Sequence, residues 1–365
     1  MKLTRDKELT KRFYFLNAAV SVLLLAVIVL SVFKFGADTF EGKRTIGIVL
    51  PDKATDAGWN KSHSDGIKKA CKDLNCNLVI AEDVKSNKIA LNEAMERLIK
   101  KRAQTVFFAG SENLDEVFDV ITKHPNIVSY GVEFEKTHVP MRKYFVRYAE
   151  AYYLAGIVAG LRTSTGKIGF IAPHASPSIN QMVNAFALGA KRIKPDIKVI
   201  LVWTGSLKSP VHEEQAVRDM RAHNADVIAY FSDGSTIVDA ASRARIDFIS
   251  LFQSNESAHN IATISVNWDN IYKTLLRHEA QSGDFTYTAS VMDRGVEVIV
   301  NRELNERGKA IFEAEVFEIK EGRSVFTGPI LDNRGNLKAK ENEIISEGNL
   351  NRMNYLVEGV MSLGN

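Results

Sequence analysis

From Thr45 onward, short apolar runs of strand length alternate with amphipathic stretches of helical length. That alternation restricts the chain to parallel sheets covered by helices on both faces. The first series reads as a strand at 45–50, a helix through 66–74 and a strand at 78–80. In the next helix Leu91, Ala94, Met95, Leu98 and Ile99 share one face, opposite Glu93, Glu96, Arg97 and Lys100. A strand at 105–109, a helix at 114–122, a strand at 127–130 and a largely apolar helix at 149–161 follow. A second series repeats the rhythm, with strands at 167–172, 198–203, 226–231 and 248–252 and helices at 184–193, 213–222 and 236–245. The run 262–266 offers a route back to the first lobe, and the chain from Gly295 onward finishes both lobes with an extended tail.

A chain of 365 residues exceeds what one hydrophobic core usually serves. The expected fold is therefore α/β, with two doubly wound parallel-sheet lobes, discontinuous in sequence, joined by several hinge strands and facing one ligand cleft. One N-terminal transmembrane helix precedes them. The expected boundaries are 1–12 for a cytoplasmic N-terminus, 13–34 for the membrane helix and 43–162 for the first part of lobe 1. The main part of lobe 2 follows at 163–260, and 261–365 holds return segments completing both lobes.

The membrane helix is read from 13–33, an apolar run without a charged residue and long enough to span a hydrocarbon core of about 30 Å. Lys2, Arg5, Lys7, Lys11 and Arg12 precede it against Asp6 and Glu8, which places the N-terminus in the cytoplasm and the lobes outside. The competing reading is a cleaved signal peptide. The run is longer than a usual signal core, its small-residue cleavage site is weak, and no cysteine follows to take a lipid. These features favour an uncleaved signal anchor.

The formal charge of +3 is spread along the chain, with no basic block beyond the N-terminal segment, so no nucleic-acid partner is expected. Cys71 and Cys76 are the only cysteines, and their spacing offers neither a metal site nor a disulfide framework; they read as two unlinked residues near a helix end or, in an oxidising compartment, as a pair. No nucleophile elbow, phosphate-binding glycine loop or HExxH motif is present, and the histidines are scattered. Enzymatic chemistry, a metal and a cofactor are not expected. His63 and His174 lie near proposed cleft loops, with His63 placed along the first helix.

In open α/β sheets a ligand binds beyond the carboxyl ends of the strands. Trp59 follows the first strand in a polar setting of Asp56, Asn60 and Ser62, where a flat ring can stack on a planar ligand. Asp56 and Asn60 can accept from and donate to a heterocycle edge, or Asp56 caps the helix. Ser111, Glu112 and Glu133 follow the third and fourth strands and read as cleft residues, helix caps or solvated loop residues. Trp203 ends a strand of the second lobe, either at the cleft or in the lobe core. Asp233 lies in the loop 232–235, where Ser235 reads as a helix cap. Asp293 lies near the return to the cleft, or in an ordinary turn.

Several motifs resemble one family in order and spacing. They are Asp56-Ala57-Gly58-Trp59-Asn60 with Gly66, the run Arg147-Tyr148-Ala149-Glu150-Ala151-Tyr152-Tyr153-Leu154-Ala155-Gly156, and Asn184-Ala185-Phe186-Ala187-Leu188-Gly189-Ala190. Phe326-Thr327-Gly328-Pro329-Ile330-Leu331-Asp332-Asn333 and Val357-Glu358-Gly359-Val360 complete the set. The chain after about residue 43 resembles the basic membrane protein (Bmp) family of ABC-transporter solute-binding proteins. The pairs Gly58-Trp59 and Asn267-Trp268 are similar to its purine-binding branch.

The resemblance implies a type I periplasmic-binding-protein fold, a purine base or nucleoside as ligand, and ABC permease and ATPase subunits as partners. Two departures bear on the ligand. Leu207 stands where the purine branch tends to carry a second tryptophan, and Gln253 and Asn255 stand where nucleoside-binding members tend to hold a ribose with aspartates. Uncharged amides bond a sugar diol more weakly, which favours a free base over a nucleoside. The alternative functions are a membrane-anchored sensor built on the same fold, whose short cytoplasmic tail would need another protein to signal, and an envelope structural protein with a degenerate cleft.

Overall fold

The computed structural model describes residues 43–110, 115–133, 141–279 and 285–363. The membrane helix expected at 13–34 lies outside them. Among the described residues no helix is long and apolar enough to cross a membrane.

The first half of the chain forms β1 (Thr45–Val49), α1 (Trp59–Asp73), β2 (Asn77–Ala81), α2 (Lys88–Lys100), β3 (Thr105–Phe108), α3 (Asp115–Thr122), β4 (Val128–Val132) and β5 (Arg142–Val146). The second series is α4 (Tyr148–Arg162), β6 (Lys167–Ala172), α5 (Pro177–Ile193), β7 (Lys198–Trp203), α6 (Pro210–Ala222), β8 (Val227–Tyr230), α7 (Thr236–Ala244), β9 (Asp247–Leu251) and β10 (Asn260–Val266). Then come α8 (Trp268–Arg277), β11 (Thr286–Ala289), β12 (Val296–Val300), α9 (Glu306–Lys320), β13 (Ile330–Leu331), β14 (Leu337–Ala339), α10 (Glu347–Leu350) and β15 (Val360–Leu363).

Two sheets result. The first has the order β11-β5-β4-β3-β1-β2 and the second β12-β10-β9-β8-β6-β7-β15, with β13 and β14 as a separate ribbon. Pairing is parallel throughout the first sheet, and in the second only β12 runs antiparallel, against β10. β1, β3 and β8 are buried along their whole length, as strands covered on both faces must be, which is why they read as unbroken apolar runs. Local signals set helix starts: Asn87 accepts from the Ala90 N–H ahead of α2, and Ser176 accepts from the Ile179 N–H ahead of α5, with Pro177 in its first turn.

The chain changes lobes at three places. The first is Arg147, immediately before α4. Reading 43–162 as lobe 1 placed this crossover too late, because α4 packs on α5 of the second lobe. The packing depends on Gly156, where a Cβ would stand 2.1 Å from the Phe186 carbonyl oxygen, so only glycine lets the two helix backbones meet. The second crossover is Asn267. β10 stays in the second sheet beside β9, and α8 then packs on α1 in the first lobe. The third lies between β11 and β12, from one sheet to the other.

Arg147 and Asn267 share one backbone conformation, φ −76° and ψ 65° against φ −84° and ψ 67°. The crossing strands are tied laterally: the Arg147 N–H donates to the Ala289 carbonyl at 2.8 Å and the Asn267 N–H to the Gly295 carbonyl at 2.9 Å. Cys71 and Cys76 are not joined in a disulfide.

Candidate ligand cleft

Residues that follow β1 meet residues that follow β8 and β9 of the other sheet. α1 begins at Trp59 after Gly58, whose φ of 95° puts it in a conformation that favours glycine, and no side chain of its own segment caps the helix. Asp56 therefore does not cap α1. The cap comes from the opposite lobe: the Trp59 N–H donates to Asp233 Oδ1 at 2.8 Å. A carboxylate at a helix N-terminus satisfies a free amide and complements the helix dipole. Burial nevertheless pushes the Asp233 carboxyl up from its ordinary value, with the Trp59 N–H and Lys208 opposing that shift and Asp52 and Asp56 adding to it.

The Trp59 ring is fixed by its own N–H, which donates to the Ala109 carbonyl at the end of β3 at 2.6 Å. Three rings surround it: His63 at 4.3 Å between centroids, Trp268 at 5.6 Å and, from the second lobe, Phe252 edge-on at 5.7 Å. His63 stacks on Trp268 at 3.7 Å, and its Nδ1 lies 2.5 Å from the Tyr272 hydroxyl. Complete burial holds the His63 pKa well below its ordinary value, so the ring is neutral. Beside the first crossover, Tyr148 meets Phe231 of the second lobe edge-on at 5.7 Å. Burial pushes the Tyr148 pKa well up, and the nearby Glu133 carboxylate adds to the shift. His63 Nε2, Trp268 Nε1 and the Tyr148 hydroxyl are buried without a hydrogen-bond partner among the described residues.

The expected site residues divide as follows. Trp59 and Asp233 meet across the cleft, and Asp56 lies close enough to Asp233 to raise its pKa. Glu133 stands at the end of β4, where its carboxylate accepts from the Val146 N–H at 2.9 Å. Asn60 is buried, with its amide oxygen accepting from the Asp52 N–H at 3.3 Å, so that oxygen closes the β1–α1 loop. Trp203 is half-buried against the core of the second lobe, and the ring that reaches Trp59 from that lobe is Phe252.

Gln253 follows Phe252 at the end of β9. Asn255 is exposed and organises its own turn, with Oδ1 accepting from the Ser257 N–H at 2.8 Å. Asp293 belongs to the third crossover: its carboxylate accepts from the Ser290 and Gly295 N–H groups at 2.8 and 2.9 Å and from the Tyr287 hydroxyl at 2.7 Å. These bonds brace the turn between β11 and β12. Ser111 and Glu112 lie outside the described residues. His174 is exposed. A hollow of about 530 Å³ near Asp226, Arg221 and Arg245 lies at the amino ends of β8 and β9, away from this cleft.

Residues 43–310 match the family model described as Bmp, ABC transporter substrate-binding protein PnrA-like. The chain belongs to this family. A purine-binding protein of Brucella abortus (strain 2308) is 24% identical over 341 residues, covering 89% of this chain and 95% of that protein. A solved ABC transporter solute-binding protein from Conexibacter woesei aligns with a TM-score of 0.63 at 16% identity, over 76% of this chain and 97% of that one. A transcriptional activator of the comK gene from Bacillus halodurans aligns with a TM-score of 0.66 at 15% identity, over 76% and 99% of the two chains. These two structures share the fold.

Phe231, Phe252 and Tyr148 were not singled out from the sequence of this Bmp-family chain. Phe231 and Phe252 end apolar strand runs and look like core. A signal was present at Phe252, which directly precedes the polar stretch Gln253-Ser254-Asn255. Its φ of 67° is unusual for an aromatic residue and turns the backbone where the ring leaves the sheet for Trp59.

Proposed function

We propose that this chain is the extracytoplasmic receptor of an ABC-type importer and that it captures a purine base, with a nucleoside less favoured, by closure of the two lobes. The observation that carries the reading is the pair of aromatic rings, Trp59 and Phe252, presented toward each other by opposite lobes. The rings meet edge-on here, and once the lobes part either ring can offer its flat face to a planar heterocycle, with stacking contributing about 1–3 kcal/mol per base. The unpartnered His63 Nε2, Trp268 Nε1 and Tyr148 hydroxyl offer polar contacts for a heterocycle edge. Asp56, Glu133 and Gln253 line the rim, and the name of the Brucella abortus relative agrees with this ligand class. Under this proposal residues 13–34 tether the lobes to the outer face of a membrane as an uncleaved signal anchor, and the permease and ATPase are separate partners.

Thermal or urea unfolding with a panel of bases and nucleosides tests the assignment. A ligand at about 100 times its Kd adds roughly 2.7 kcal/mol to stability. Stabilisation by at least one free purine base is expected, and its absence across the panel at saturating concentration refutes the purine assignment.

A further inference from the structure

We propose that Asp233 is a positioning residue for ligand binding, acting as a latch that holds the lobes together by capping α1 from across the cleft. α1 has no side-chain cap from its own segment. Its N-cap is Gly58, and the Trp59 N–H is taken by a carboxylate 174 residues away in sequence, at 2.8 Å. The fit is close on both sides: a Cβ at Gly58 would stand 2.2 Å from Asp233 Oδ1.

The loop that carries Asp233 is itself braced. The Asp233 N–H donates to the Leu207 carbonyl at 2.7 Å, and the Ser232 hydroxyl lies 2.9 Å from the same carbonyl and 2.6 Å from Glu213 Oε1. A carboxylate on a rigid loop that meets a helix N-terminus in the other lobe ties the movement of one lobe to the other.

The latch and an inserted ring compete. Phe252 meets Trp59 edge-on with centroids 5.7 Å apart, whereas a planar ring between two stacking faces needs roughly 7 Å, twice a carbon contact of about 3.5 Å. The bonded N–H and the ring belong to the same residue, Trp59, so the arrangement that makes the bond is the one that leaves no gap. Admitting a planar ligand requires the lobes to separate or the rings to turn. Asp233 therefore sets how readily the cleft opens, and the charges around it set its strength: Lys208 favours the carboxylate, while Asp52 and Asp56 of the first lobe oppose it. The ligand part of this inference rests on the purine reading, and the conformational part does not.

The test uses the full chain with Ile89→Cys and Val211→Cys as dye sites, positions 73% and 75% exposed, one on each lobe. Cys71→Ala and Cys76→Ser remove the native thiols. Single-molecule energy transfer then reads the interlobe distance in the parent, in Asp233→Ala and Asp233→Asn, and in Gly58→Ala, which presses on the latch from the opposite lobe. Melting curves identify any variant that fails to fold, in which case the Asp233 variants carry the test.

The expected result is a shift of Asp233→Ala toward longer distances, with Asp233→Asn between it and the parent because an amide oxygen accepts without charge. Adenine association is expected to be several-fold faster in Asp233→Ala. Superimposable distance distributions in the parent and Asp233→Ala overturn the latch. Where adenine binds the parent, a shift in distance without faster association overturns the positioning role. A shift together with no adenine binding to any variant supports the latch and counts against the purine reading alone.

Discussion

Acidification should weaken the fold through His63 before general carboxylate protonation sets in. His63 is completely buried between Trp59 and Trp268, and burial keeps its pKa well below the ordinary value. In the unfolded chain the same residue titrates near about 6.5. Below that pH the unfolded state binds a proton that the folded state refuses, so stability falls as pH falls. The slope is about 1.4 kcal/mol per pH unit, and between about pH 7 and pH 5 the loss amounts to about 2 kcal/mol.

Glu150 and Asp233 act in the opposite sense. Burial raises both carboxyls, so the folded state takes up their protons first and gains stability as pH falls through their folded values. The comparison with His63→Phe isolates the histidine, because the carboxyl contributions cancel in the difference. The variant keeps a ring against Trp268 and loses the contact with Tyr272 at every pH, a constant offset. Urea unfolding of both proteins at about pH 7 and pH 5 checks this. The parent is expected to lose about 2 kcal/mol more than the variant over that interval. An equal loss in the two proteins would refute the claim that His63 stays neutral in its stack.

Gly156→Ala drives a methyl group into the Phe186 carbonyl and is expected to cost at least about 1–3 kcal/mol, read as a lower urea midpoint with unchanged slope. Asp293→Ala removes four hydrogen bonds from an exposed turn, so about 1 kcal/mol of global stability is at stake, with faster amide exchange confined to the segment 287–297. Phe252→Gly relieves the left-handed backbone, worth about 1–2 kcal/mol, while deleting the ring that faces Trp59. Calorimetry is expected to show purine affinity falling by about tenfold or more.

The strands of both lobes were legible because fully buried strands are continuous apolar runs. The runs at 167–172 and 198–203 coincide with β6 and β7, and the run at 45–50 overshoots β1 by one residue. β5 and α8 went unread. Arg142-Lys143-Tyr144-Phe145-Val146 begins with two cations, and its inward face shows only at Tyr144 and Val146. α8 opens on Trp268, which drew attention as half of an Asn-Trp pair rather than as the start of an amphipathic helix.

The first crossover, at Arg147, falls inside the stretch 43–162 read as lobe 1, whereas the run 262–266 read as a route back directly precedes Asn267. Arg147 and Asn267 share a backbone conformation that residue type does not encode. Trp59 stood out in the sequence because a tryptophan amid polar residues is uncommon, and in the fold it meets rings from both lobes. Its bond to Asp233 was not legible, since it depends on how two separately folded lobes meet. Asp293 and Asn255 read as ligand groups in sequence, and in the fold both also accept from amides of their own turns.

Titration calorimetry of adenine into the parent protein and into Trp59→Ala addresses the central claim most directly. Saturable binding to the parent is expected, with a Kd raised by roughly 5- to 150-fold in the variant, the equivalent of about 1–3 kcal/mol of lost stacking. Binding of equal strength to both proteins would remove Trp59 from the site and contradict the account.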